Sequence, residues 1–186
     1  MKILLHICCG NCAISPVQKL KREGHHITGF WFNPNIHPYE EYRERFSSLK
    51  VMAEDSRTDM HVYDRYEPDS FFGMFPDPAP PFPERCTSCY TLRLEKTARE
   101  AAHGGFDAFS TTLLISTYQG FDQISHVGNR YAEKYNVSFY LRDFRPYFRE
   151  SLTAAQSLGL YRQKYCGCIF SRNEGMHKKQ KTKIKN

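Results

Sequence analysis

The stretch KILLHICCGNCAISPVQKLKREGHHITGFWF, residues 2–32, decides the fold. Lys2–Ile7 is a short aliphatic run of the kind that forms a buried strand, and Ile27–Phe32 is a second. Between them, Ser15, Pro16, Val17 and Gln18 have the form of a capping box with proline at the first helical position. That predicts a helix running to about Glu23 and stopped by Gly24. The same alternation continues along the chain. Tyr39–Glu54 carries a long helical pattern, Met60–Tyr63 suits a third strand, and Cys89–Ala102 suits a helix. Ala108–Leu113 then suits a strand, Phe121–Tyr135 a helix and Val137–Leu141 a last strand. Strands alternating with helices predict an α/β fold, a mostly parallel sheet with helices on both faces. Residues 74–86, MFPDPAPPFPERC, hold five prolines and are expected to form an ordered loop or lid. In such sheets ligands gather at the carboxyl ends of the strands, where helix N-termini present backbone N–H groups, and HICCGNC, residues 6–12, sits at such an end.

A length of 186 residues predicts one catalytic domain, residues 1–170, followed by a basic, flexible tail, 171–186. The formal charge of +6 is concentrated in that tail, where six Lys and Arg residues oppose only Glu174, a net of +5. The rest of the chain is near neutral. A lysine tail suits attraction to phosphates, or is simply a solvated terminus. No apolar run approaches the roughly 18 residues that span a bilayer, and KILLHI is too short for a signal peptide. The expectation is a cytoplasmic protein without membrane partners. In a reducing compartment, seven cysteines are better explained as metal ligands or redox groups than as a disulfide framework.

The cysteines fall into three groups: Cys8, Cys9 and Cys12; Cys86 and Cys89; Cys166 and Cys168. The first two groups stand before expected helices, whose N-termini stabilise thiolates, so both are expected to ionise near neutral pH. Cysteine is also a common small core residue, and Cys86-x-x-Cys89 is half of a tetrahedral zinc site. Adjacent Cys8 and Cys9 fit one zinc ion poorly, since neighbours rarely aim both sulfurs at one small ion. They more easily ligate separate irons, so Cys8, Cys9, Cys86 and Cys89 form a plausible set of four around a [4Fe-4S] cluster. In Cys166-Gly167-Cys168 a disulfide would close a tight ring that is easily reduced. That favours a two-electron dithiol couple over two further metal ligands.

The blocks LLHICCGNC, GFWFNPNIHPYEEYRER, ERCTSCYTLRLEKTA, FSTTLLISTYQ and FYLRDFRPYFRESLTAAQSLGLYRQKYCGCIFS follow one another from Met1 to about Ser171. In order and content they resemble the epoxyqueuosine reductases of the QueH family. The resemblance implies reductive removal of the epoxide oxygen of epoxyqueuosine at the wobble position of tRNA, giving queuosine in the last step of its biosynthesis. It also implies a fold related to the adenine nucleotide alpha hydrolases (HUP-like) and an electron donor still to be identified. On this resemblance the [4Fe-4S] cluster falls on Cys8, Cys9, Cys86 and Cys89, and the redox-active pair on Cys166 and Cys168. Cys12 is the candidate ligand of an additional mononuclear iron. One departure is visible: CCAPC is the expected opening, and Gly10-Asn11 replaces Ala-Pro. Loss of the proline is expected to loosen the turn, and Thr117 stands where a proline is usual.

Anticodon loops offer unpaired bases for aromatic stacking and phosphates for cations. Candidate RNA contacts are Arg43, Arg45, Arg145, Arg149, Arg162 and Lys164, although the arginines of EYRER equally suit pairing with Glu40, Glu41 and Glu44 across helix turns. His37, Tyr39, Tyr118, Asp143 and Tyr165 are candidate proton sources. Two other functions compete. A nucleotide-activating tRNA thiolation enzyme needs an SGGxDS-like phosphate loop, and CCGNCAIS offers only Gly10. A zinc-stabilised RNA-binding module leaves Cys166-Gly167-Cys168 without a role.

Overall fold

The central strand β1, Lys2–His6, has four of its five residues buried, as a strand covered on both faces requires. The computed structural model describes residues 1–175. In chain order the elements are β1, α1 (Gly10–Arg22), β2 (His26–Trp31), α2 (Tyr39–Asp55), β3 (Asp59–Val62), α3 (Asp69–Phe72) and α4 (Glu84–His103). β4 (Ala108–Thr111), α5 (Phe121–Tyr135), β5 (Ser138–Phe139) and α6 (Phe148–Ser157) follow, with 3₁₀ turns at Thr112–Ile115 and Arg145–Tyr147.

The five strands form one sheet in the order β3-β2-β1-β4-β5, and every pairing is parallel. Leu4 lies opposite Thr28 on one side and Phe109 on the other. The chain winds outward from β1 to β3, then returns past β1 to β4. With right-handed crossovers, that reversal sends the two sets of helices to opposite faces. α1 packs against α2 and α6, and α4 packs against α5. The core between them is built on Ile3, Leu5, Phe30, Leu94 and Phe109, all fully buried. Trp31 is buried too, and its Nε1 donates to Tyr42 Oη at 2.7 Å, so its polar edge is satisfied.

The α/β expectation therefore holds, with a wholly parallel sheet, and several boundaries move. α1 starts at Gly10, not at Ser15, and Pro16 lies inside it. Every residue from Gly10 to Val17 is buried, so the backbone leaving β1 has no water to bond and turns directly into helix. α4 starts at Glu84, which places Cys86 and Cys89 within its first two turns instead of before it. β4 stops at Thr111, whose Oγ1 accepts from Leu113 N and caps the 3₁₀ turn. Only Ser138 and Phe139 of the last expected strand pair with β4. The helical run 169–175 continues past residue 170, and Glu174 there clamps Arg85 with both carboxylate oxygens at 2.6 Å. The remaining lysines of the expected tail lie outside the described residues. Among those described, no helix is long and apolar enough to cross a membrane.

Candidate active site

The winding reverses between β1 and β4, and the carboxyl ends of these strands meet at His6 and Thr111. His6 is fully buried; its Nδ1 lies 2.9 Å from Thr111 Oγ1 and its Nε2 3.2 Å from Asn33 Oδ1. Asn33 Nδ2 in turn donates to the Ile7 carbonyl at 2.8 Å. Burial pushes His6 down to about 4, so a neutral imidazole ties together three strand ends. Immediately beyond, the sulfurs of Cys8, Cys9 and Cys12 all lie within 4.8 Å of one another, and all three residues are buried. Hydrogen bonds from Cys12 and Cys9 hold the Cys8 thiol well below its ordinary range, whereas Cys12, the donor, is held well above it. Gln163 reaches this group from far along the chain. Its Nε2 lies 3.1 Å from Cys9 Sγ and 3.4 Å from Cys12 Sγ.

The other four cysteines, Cys86, Cys89, Cys166 and Cys168, line a single cleft with Asn35, Arg85, Tyr90, Arg93 and Gln119. Helix-terminus stabilisation does not win in the second group as free thiols. Burial raises Cys86 and pushes Cys89 up to about 11. Arg93, one helical turn beyond Cys89, is 3% exposed, and its Nη2 donates to Cys89 Sγ at 3.2 Å. Its charge interacts with Cys89 first and with Cys8 next, so the guanidinium joins the two thiol groups electrostatically.

Cys166-Gly167-Cys168 is held in a cradle of buried polar groups. Arg45 pairs with Glu41 at 2.7 Å and donates to the carbonyls of Cys166 at 3.1 Å and Tyr165 at 2.8 Å. Tyr161 Oη donates to the second oxygen of Glu41 at 2.6 Å, and Tyr165 Oη donates to the His37 carbonyl. Gly167 has φ +124°, a conformation that excludes ordinary side chains, and its carbonyl accepts from His37 N at 2.9 Å. The two sulfurs lie 3.9 Å apart, Cys166 on an exposed residue and Cys168 on a buried one. A hydrogen bond from Cys168 holds Cys166 below the ordinary thiol range and Cys168 above it.

Comparison with known proteins decides the assignment. The family described as "Epoxyqueuosine reductase QueH" matches residues 3–174. The chain belongs to this family. A QueH protein of Dehalococcoides mccartyi, named an epoxyqueuosine reductase, is 30% identical over 173 residues, 93% of each chain. One of Thermotoga maritima with the same name is 31% identical over 175 residues, 91% of this chain and 89% of that protein. A solved structure described as a predicted subunit of tRNA methyltransferase from Methanocaldococcus jannaschii superposes with a TM-score of 0.51 at 11% identity. It covers 84% of this chain and 76% of that one, and at such identity it attests the fold alone.

For a QueH protein the opening CCGNC departs from expectation, and its Asn11 ties the turn to the segment beyond α6. Asn11 is 2% exposed and its Nδ2 donates to the Tyr161 carbonyl at 2.9 Å. Of the residues expected to touch RNA, Arg43, Arg149, Arg162 and Lys164 are exposed. Arg45 is buried and paired with Glu41, so the helix-turn alternative holds for it. Arg145 is held by both oxygens of Asp143, which also occupies that candidate proton source. His37 is buried with neither ring nitrogen bonded among the described residues, Tyr39 is half exposed, and Tyr118 projects into solvent. Gln163, Arg93 and Gln119 are absent from the sequence-based expectations. Arg93 alone left a signal there, the four-residue spacing from Cys89 that shares a helix face.

Proposed function

We propose that this reductase acts on epoxyqueuosine in tRNA with a [4Fe-4S] cluster held by Cys8, Cys9, Cys86 and Cys89, and with Cys166 and Cys168 as a two-electron couple. The observation that carries the metal assignment is Arg93. A buried guanidinium is tolerated only beside compensating negative charge, and its neighbours here are thiols and Tyr90, with no carboxylate among its principal partners. The sulfurs gathered within 4.8 Å are those of Cys8, Cys9 and Cys12, and an anionic metal–thiolate centre reaching from them to Cys89 would supply that charge. Gln163 supports it as an N–H donor toward Cys9 and Cys12. Such a cluster, with a further iron for which Cys12 is the candidate ligand, would supply single electrons and a Lewis acid for the epoxide oxygen.

The protein's own residues account for the rest. Arg45, paired with Glu41, holds the Tyr165 and Cys166 backbone at the cleft, and Gly167 lets the chain turn tightly enough for both sulfurs to face it. Epoxide removal breaks two C–O bonds, forms one C=C bond and consumes two electrons and two protons, with oxygen leaving as water. Two thiols becoming one disulfide release those two electrons and two protons. An outside reductant then restores the dithiol.

Anaerobic purification with iron and sulfide analysis, a visible spectrum and turnover of epoxyqueuosine-containing tRNA tests the proposal. A brown protein containing both elements and converting the tRNA is expected. A colourless zinc protein without turnover would sink it.

A further inference from the structure

Among the described residues, the two most exposed large apolar side chains are Tyr118, 81% accessible, and Phe82, 62%. Both stand on segments that line the cysteine cleft. Gln119 follows Tyr118, and Arg85 and Cys86 lie just past Phe82; all three are lining residues. The loop carrying Tyr118 is braced: Tyr118 N donates to Ser116 Oγ at 3.2 Å, Gly120 N donates to Tyr90 Oη at 3.1 Å, and Tyr90 Oη donates to Gln119 Oε1 at 2.8 Å. Tyr90 follows Cys89 on α4, so the loop is fixed to the helix turn that carries that thiol. Phe82, four residues before Cys86, directly precedes Pro83, the N-cap position of α4. Two aromatic rings are thus held in water beside one cleft, each forgoing the burial that aromatic side chains ordinarily gain.

We propose that Tyr118 and Phe82 are stacking platforms for unpaired nucleobases flanking the nucleotide that enters the cleft. The inference rests on the tRNA reading above and deepens it, because it states what part of the RNA is recognised. Charge favours this partner. No acidic residue is among the lining residues, and although Arg85 is already paired with Glu174 and Arg93 is buried against Cys89, Arg162 and Lys164 are exposed on the segment running into Cys166. Cations beside open aromatic faces match a polyanion with unstacked bases, which is a single-stranded loop. A duplex offers the phosphates but hides the base faces.

The test is fluorescence anisotropy with the full chain, purified anaerobically, on an RNA hairpin with an anticodon-like loop and on a fully paired duplex of equal length. Stacking is worth about 1–3 kcal/mol per base, so Tyr118→Ala and Phe82→Ala should each weaken hairpin binding roughly 5- to 150-fold. Duplex binding and the salt slope should stay unchanged, because no phosphate contact is lost. Tyr118→Phe, which keeps the ring, should bind like the unaltered chain. Unchanged hairpin affinity in the alanine variants would overturn the proposal. So would an equal loss in Tyr118→Phe, which would assign the effect to the hydroxyl. Turnover of epoxyqueuosine-containing tRNA, assayed separately, tells a failure of the reductase reading from a failure of stacking.

Discussion

Cys166 and Cys168 sit in different surroundings although one residue separates them: Cys166 is exposed, while Cys168 is buried and accepts from Ser171 N at 3.4 Å. An exposed thiol held below its ordinary range is the partner that an outside reductant or the substrate reaches first. Replacing either cysteine with serine should bring turnover to background while iron, sulfide and the visible spectrum match the unaltered protein. Loss of colour together with turnover would make them metal ligands instead. His37 supports a second prediction. Burial against Phe71 and Phe72 pushes its pKa from 6.5 down to about 4, so the folded state holds the ring neutral. As pH falls below 6.5 the unfolded chain binds a proton that the folded chain refuses. Stability should therefore decline from there and level off below about pH 4, by at most about 3 kcal/mol. His37→Phe keeps the stack without the titration, and urea midpoints across that window should vary less than in the unaltered chain. The thiols were legible in the sequence because cysteine is rare and its spacing is informative. Gln163 was not, since its role arises only when the fold sets it against sulfur, and of Arg93 only the four-residue spacing from Cys89 was.

At the scale of elements, the β-α-β opening was legible from two aliphatic runs, whereas the start of α1 was not. Ser15-Pro16 has every local feature of a cap, yet Ser15 is buried and Ser151 Oγ accepts from its N–H at 3.2 Å. Tertiary burial of the strand-to-helix turn overrode the local signal. Gly10 shows what that turn requires. A Cβ there would lie 2.4 Å from the Ser48 carbonyl oxygen and 2.8 Å from its carbon, both backbone atoms of α2. Gly10→Ala must push α1 from α2 beside Cys8, Cys9 and Cys12, and it should cost about 1–3 kcal/mol by overpacking. A lowered urea midpoint at unchanged m-value would record it. A neutral result would mean that the helices separate freely at this crossing. The helix start in α4 was misjudged for a related reason: five prolines hid the point at which the loop ends, and with it the shared face of Cys86, Cys89 and Arg93.

For the whole molecule, the thiols come from three distant stretches: residues 8–12 after β1, 86–89 on α4, and 166–168 beyond α6. α1, which follows the first stretch, packs with α2 and α6, while α4 packs with α5 in the other helix set. The proposed metal centre, shared by the first two stretches, would therefore link both helix sets to the central strand and couple its binding to global folding. A ligand present at a thousandfold over its Kd adds about 4 kcal/mol, and each kcal/mol moves Tm by about 2–4 °C in a domain of roughly 150–250 residues. The iron-loaded protein should thus melt roughly 10 °C above the same protein after chelation, in anaerobic thermal scans, and reconstitution should restore the difference. Cys86→Ser should melt like the iron-free chain whether or not iron is supplied, because it removes the proposed ligand on α4. Cys166→Ser should keep the full shift if its thiol is, as proposed, a redox group and not a ligand. If chelation leaves the melting point of the unaltered chain in place, the buried charge of Arg93 is balanced by thiolates alone, and the cluster has no place in this fold.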